Sequence, residues 1–330
     1  MIGSISRRRA IAVIAAAAGL PVFLAARGVN ASLVRWEGTA LGANASIALY
    51  HEDEAAAREM IAECVAEVAR LEGIFSLYRA DSALSVLNRQ GSLDAPPAEL
   101  LALMGEALRF SELTGGSFDP TVQPLWRLYF GHFSKADADP AGPDAAAVAQ
   151  AAALVDWRKV AVDPGRIALK PGMAVTLNGI AQGWVTDRVS DLLRARGMNR
   201  VLVDMGEQRA LGPRDDGKPW HVGVVDPPNA ARVALALHVG DKAVSTSGGY
   251  GTRIDAAGRF THLFDPRSGR SADGLASVTV VAETAATADA LSTALAVSGP
   301  LDRPAILARA GGGAIAHPVA HGGQISTIGG

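Results

Sequence analysis

Cysteine is almost absent. Cys64 stands alone among 330 residues, which excludes an intrachain disulfide framework and any thiolate metal cluster. Aromatic residues make up only 5% of the chain, and 31 basic against 33 acidic residues leave a net charge of −2. With no basic tract beyond its extreme start, the chain is not expected to bind nucleic acid. The zinc signature His-Glu-x-x-His does not occur, and neither does an internal repeat. The apolar run Ala10–Ala26 falls short of the roughly 20 residues needed to span a bilayer.

That run nevertheless has a context. It follows Ser6-Arg7-Arg8-Arg9 and precedes Arg27-Gly28, the charged-then-apolar layout of an export signal, with the paired arginines of the twin-arginine route. We therefore expect residues 1–28 to be an export signal and residues 32–330 a single domain. The mature protein is expected in the periplasm, meeting the membrane only through that signal. With 49% of the whole chain hydrophobic, there is enough chain beyond the leader to build a sizeable core, as one large domain or two interlocked lobes.

Periodicity predicts a first strand ending in the alternating Ala45–Tyr50, then a helix over about Glu54–Glu72. On that helix Cys64 falls in the apolar stripe Met60, Ile61, Val65, Val68, Leu71, the setting of a buried, inert thiol. Phe75–Asn88 reads as a turn-rich connection with an exposed Tyr78. Pro96-Pro97 opens a second helix that Gly115-Gly116 stops. The two prolines in Ser117–Leu125 predict a rigid shaped loop, and Lys135–Ala147, rich in Asp, Pro and Ala, a surface insertion. Ala174–Leu177 reads as a strand running through Asn178-Gly-Ile-Ala-Gln-Gly183 into an amphipathic helix. That loop offers backbone amides to an anion, although it carries neither the P-loop nor the dinucleotide fingerprint. The second half is strand-rich, with runs near Val201–Met205, Trp220–Val225, Val233–Val239, Ala243–Thr246, Ala276–Ala282, Ala314–Val319 and Gln324–Ile328, and a hairpin at Asp255–Gly258. Clustered strands with helices elsewhere predict an α+β fold.

The chemistry centres on Thr287-Ala-Asp-Ala-Leu-Ser-Thr293. It follows the strand Ala276–Ala282 and opens a helix that Gly299-Pro300 ends. Four residues apart, Asp289 and Thr293 share one helix face. A carboxylate and a hydroxyl side by side make half a site for a hard cation such as Mg²⁺, completed by substrate phosphates. Alternatively Asp289 merely complements the helix dipole. His262 and Asp265, three apart before Pro266, converge on a site or pin a turn.

Taken in order, these stretches resemble the ApbE family, the FAD:protein FMN transferases. The likeness runs through Gly38–Ala43, Ser76-Leu-Tyr78 to Asn88, Gly116-Ser-Phe-Asp-Pro-Thr-Val122, Leu177–Gly183 to Asp187, Ser245-Thr-Ser-Gly248, His262-Leu-Phe-Asp-Pro266 with Gly269, and Ala288–Thr293. It covers about Leu33 to the C-terminus and is most like the NosX-type branch. The resemblance implies two interlocked α/β lobes with FAD in the cleft between them. Its pyrophosphate would be held by Mg²⁺ on Asp289, Thr293 and the Gly179 carbonyl. FAD contacts implied in the same way are Leu41, Tyr78, Ser117, Phe118, Asp119, Thr176, Gln182 and Leu263. FMN would pass to a Thr or Ser hydroxyl of an acceptor flavoprotein, NosR-like for this branch, releasing AMP. His262 is the candidate base or phosphate contact, with Asp265 orienting it. Thr176 and Gln182 are uncharged where many relatives carry charge, and Ala286 replaces an acid. Two alternatives use the same residues: a non-catalytic FAD carrier and a Mg²⁺-dependent FAD pyrophosphatase. A solute-binding protein is a more distant reading.

Overall fold

The alternation after Ser32 becomes a hairpin. In the computed structural model, which describes residues 31–226 and 229–329, β1 (Ser32–Ala40) and β2 (Ala43–His51) pair antiparallel, with Ala40 opposite Ala43. Leu41 and Gly42 make the turn with φ of 48° and 82°, the left-handed geometry that matches strand twist. The expected export signal, residues 1–28, lies outside the described residues. Helix α1 (Glu54–Phe75) starts at Asp53, whose carboxylate accepts the Ala55 and Ala56 amides. It buries the predicted stripe, Cys64 included, except for the half-buried Val65, and burial pushes that thiol up to about 11.

Next come α2 (Ala83–Gln90), β3 (Ser92–Asp94) and α3 (Ala98–Leu113). Helix α2 corrects the turn-rich expectation for Phe75–Asn88: Ser82 caps it through the Ser85 amide, a signal masked by the surrounding serines. Helix α3 runs from Pro97 to the glycine pair as expected. Residues 117–125 are partly helical, not only a shaped loop. A single turn, Pro120–Val122, leads into α4 (Gln123–Phe133), and both prolines fall in first turns, where a missing N–H costs nothing. Residues 135–144 are irregular until Asp144 caps α5 (Ala145–Ala152). Short strands β4 (Ala161–Asp163) and β5 (Arg166–Ala168) join β3 in a small sheet of order β3-β5-β4.

The remaining elements are α6 (Ala181–Ala195), β6 (Val201–Asp204), β7 (Gln208–Leu211), β8 (Trp220–Asp226), β9 (Asn229–Val239), β10 (Ala243–Gly248), β11 (Ser277–Ala282), α7 (Ala285–Val297), α8 (Arg303–Ala310), β12 (Ile315–Val319) and β13 (Ile328–Gly329). The main sheet has the order β1-β2-β6-β7-β10-β11-β12-β13, antiparallel throughout. This is the expected α+β class. Because side chains alternate across a strand, Ile47, Leu49, Val201 and Val203 face the helical core with α1, α3, α6 and α7. Ala48, Leu202, Ala210 and Val244 face the opposite way, under the β8–β9 hairpin with Trp220 and Val222.

The stretch Ala174–Leu177 is extended but belongs to no sheet. A side chain takes the place of a strand partner: the Asn88 amide receives the Val175 N–H at 2.6 Å and donates to the Val175 carbonyl at 2.7 Å. The next amide, Thr176 N–H, donates to Pro120 O at 2.7 Å. The segment is thus clamped between α2 and the Pro120 turn.

Candidate active site

The clamped segment delivers its loop to α7. Thr284 caps this helix by accepting the Thr287 amide, and the two preceding amides, Ala285 and Ala286, each donate at 2.9 Å to the Asp187 carboxylate on α6. Asp187 also pairs with Arg209 of β7, both side chains nearly buried. Gly183 lets the two helices meet, since a Cβ there would sit 2.3 Å from Ala285 O. Its amide donates to Asp289 Oδ2 at 3.1 Å. Gly179 comes as near on the next turn of α7: a Cβ would lie 2.9 Å from Thr293 Oγ1 and 3.2 Å from the Phe118 ring.

Asp289 and Thr293 therefore share a face, as their spacing predicted, and Gly179 and Phe118 close on it. Burial pushes the Asp289 carboxyl up to about 7, opposed by the Gly183 N–H and reinforced by the Asp187 charge. Glu207, just after β6, is raised well above the usual carboxylate range by burial and then by Asp289. Among the described residues no group of three or more His, Cys, Asp or Glu could hold a metal ion. Histidines 317 and 321 share the i,i+4 spacing of helical zinc sites, but they flank the end of β12 and bond separately to Thr327 and to Asp273 O. The donors beside α7 are instead a carboxylate, a hydroxyl and a glycine backbone that a Cβ would block. Hard oxygen donors few in number suit Mg²⁺ completed by phosphate oxygens, so these residues fit the expected ion.

The other predicted contacts have local partners of their own. The Gln182 amide lies over Gly206, 2.5 Å from where a Cβ would be. Thr176 Oγ1 accepts the Asn178 amide. Ser117 and Phe118 are buried where α3 ends. Asp119 spends its carboxylate internally, on the Thr121 amide and hydroxyl and on the Trp157 amide at 3.2 Å. Leu263 is buried in the main core and Leu41 packs against it, its amide bonded to Glu72. Tyr78 is 59% exposed. Its sequence neighbour Leu77 lines a cleft of about 420 Å³, to which Ser85, Asn88, Arg89, Trp126 and Arg127 also contribute.

His262 lies beyond β10 beside Gly251, where a Cβ would be 3.9 Å from its Cε1. It is half-buried, and burial lowers its pKa while a hydrogen bond from Nδ1 to Thr252 O, 3.3 Å, opposes that shift. The expected orientation by Asp265 is corrected: that carboxylate accepts the Arg267 amide and guanidinium and the Ser268 hydroxyl. Its proline-terminated turn satisfies the acid locally, so Asp265 pins the turn.

Asp187, Glu207, Ser245, Ser247 and Ser292 were not predicted as functional. The Asp187, Ser245–Gly248 and Thr287–Thr293 motifs flagged the neighbourhoods of all but Glu207, and nothing local marks Asp187 as the cap of a helix almost a hundred residues away. Asp187→Ala should cost about 3–5 kcal/mol, because it uncaps α7 and strands the Arg209 guanidinium. Urea denaturation tests this, and a loss below about 1 kcal/mol would remove the capping role.

This fold is the one found in flavin transferases of known structure. The flavin transferase ApbE of Vibrio cholerae matches with a TM-score of 0.77 at 27% identity, covering 91% of this chain and 97% of that one. The ApbE protein of Thermotoga maritima matches with a TM-score of 0.79 at 28% identity, covering 90% and 97%. The chain belongs to the ApbE family, whose model matches residues 41–316. Relatives named FAD:protein FMN transferase include one from Vibrio cholerae, 34% identical over 232 residues, or 68% of this chain and 69% of the relative. Another, from Haemophilus influenzae, is 32% identical over 236 residues, 68% of each.

Proposed function

We propose that this protein is an FAD:protein FMN transferase that moves FMN from FAD to a Thr or Ser hydroxyl of an acceptor flavoprotein and releases AMP. The observation that carries the reading is the convergence of Gly179, Asp289 and Thr293 on one face of α7, in a chain whose relatives are named for that activity. Bound there, Mg²⁺ would neutralise charge on the FAD pyrophosphate.

The chain's own residues do the positioning. The cleft lined by Leu77 carries Arg89 and Arg127, neither paired with a carboxylate among the described residues, and so suits an anionic dinucleotide. The acceptor hydroxyl oxygen forms a bond to the FMN phosphorus as the bond to the AMP oxygen breaks, and AMP leaves with that electron pair. The hydroxyl proton goes to His262. With Nδ1–H on the Thr252 carbonyl, Nε2 keeps its lone pair, and the lowered pKa leaves the ring neutral at physiological pH. Aligning the hydroxyl on phosphorus is worth ~7–11 kcal/mol of barrier in favourable cases.

The branch we propose is the NosX type, with a NosR-like acceptor in the periplasm. Its support is the wording of Asn178-Gly-Ile-Ala-Gln-Gly183 and the twin-arginine layout of residues 6–28. The test is intact mass spectrometry of a threonine-bearing acceptor domain incubated with the protein, FAD and Mg²⁺, against an EDTA control. An FMN-sized adduct only with Mg²⁺ is the expected result. FAD split to FMN and AMP with every acceptor unmodified would identify a pyrophosphatase, and FAD retained intact would identify a carrier.

A further inference from the structure

The motif Ser245-Thr-Ser-Gly248 has no part in the proposed chemistry so far, yet it lies against the metal-type face. On β10, residues 245 and 247 point to one side and 246 to the other. Thr246 pairs with Thr279 across the sheet at 2.9 Å. Ser245 and Ser247 face α7, where each meets Ser292 Oγ, at 3.0 and 2.8 Å. Ser247 Oγ also lies 3.4 Å from Thr293 Oγ1. Ser292 has a further partner, its hydroxyl donating to Asp289 O at 3.0 Å.

Each hydroxyl has one hydrogen to give, and that count sets the direction of the chain. A carbonyl can only accept, so the Ser292 hydrogen is committed to Asp289 O. The contacts of Ser292 with Ser245 and Ser247 then require those two serines to donate. Ser247, its hydrogen spent, can only accept from Thr293. Thr293 therefore points its hydrogen at the sheet and leaves lone pairs alone for the site.

We propose that Ser247, held by Ser292, is a positioning residue that makes Thr293 Oγ1 an obligate acceptor and so a ligand for a cation. This rests on the reading that Asp289 and Thr293 hold a divalent ion. Without Ser247 the Thr293 hydroxyl is free to rotate and present its hydrogen to the site, where it opposes a cation. Outer partners of a metal ligand are typically worth 10–100-fold in metal affinity.

The test uses Mn²⁺ as the probe, with free ion followed by electron paramagnetic resonance in the presence of FAD. FAD binding without metal, by flavin fluorescence, is the second readout. Ser247→Ala should weaken Mn²⁺ binding roughly 10- to 100-fold and leave metal-free FAD binding within about twofold. Ser247→Thr, which keeps a hydroxyl and suits a strand, should restore most of the loss and guards against a folding artefact. In a Thr293→Val background Ser247→Ala should have no further effect, because the two act through one bond. Wild-type Mn²⁺ affinity in Ser247→Ala would overturn the proposal and leave the metal reading standing. Failure of the unmodified protein to bind Mn²⁺ at all would overturn the metal reading and this proposal with it.

Discussion

Asp289→Asn is expected to lower the rate of Mg²⁺-dependent FMN transfer by roughly 10²–10³-fold, the scale of losing one fixed electrostatic contact at a reacting phosphate. The substitution is chosen for shape. Asn retains an oxygen for the Gly183 N–H, which donates at 3.1 Å to Asp289 Oδ2, so the close approach of α6 to α7 survives. What disappears is the charge at the centre of the donor set. Folding stability should therefore fall by no more than about 1.5 kcal/mol, one neutral hydrogen bond being the most that can be lost, and should rise near neutral pH, where the buried charge of Asp289 is removed. Adduct formation followed by intact mass against Mg²⁺ concentration, beside urea denaturation of the same variant, checks both halves. Undiminished transfer would remove Asp289 from the metal site, and a large loss of stability would recast it as a structural acid.

The second expectation is a reversed pH dependence of stability. Five buried acids, Asp119, Asp187, Asp204, Glu207 and Asp289, are all pushed above their ordinary range, with burial the largest cause in each. A native carboxyl that holds its proton more tightly than in the unfolded chain makes the folded state the better proton binder. Stability is then fully present below the unfolded pKa and is lost as pH rises through the folded one. For Asp289 that window runs from 3.8 to about 7. In EDTA, the urea midpoint should fall between about pH 5 and pH 8, opposite to ordinary acid denaturation. On the proposed reading Mg²⁺ with FAD would bind the ionised face, so the same additions should restore more stability at the higher pH. A midpoint that is flat or rises over this range would show that these carboxyls ionise in the fold as they do in water.

How much could be read from the residues depended on the range of the forces involved. The α1 stripe, the Pro97-to-glycine bounds of α3 and the shared face of Asp289 and Thr293 are local: helix period and capping decide them within a few residues. Ala174–Leu177 misled for a physical reason. An apolar, β-branched run looks like a strand whether its amides meet a neighbouring strand or, as here, the side chain of Asn88 eighty-seven residues earlier. Asp265 misled in the other direction, because a turn of its own absorbed the carboxylate that His262 was expected to use.

The sequence by itself determined the α+β class, the position of the α7 face and, through ordered motifs, the family. Those properties follow from periodicity, from chain-breaking residues and from spacing within one element. Only the tertiary structure brought Asp187 and the serines of β10 against α7. Those contacts arise where β10 packs on α7 and where α6 meets the start of α7, and in both places the partners lie tens of residues apart. Charge state was decided there too, since a carboxylate far from water by packing alone carries the same letter as one on the surface.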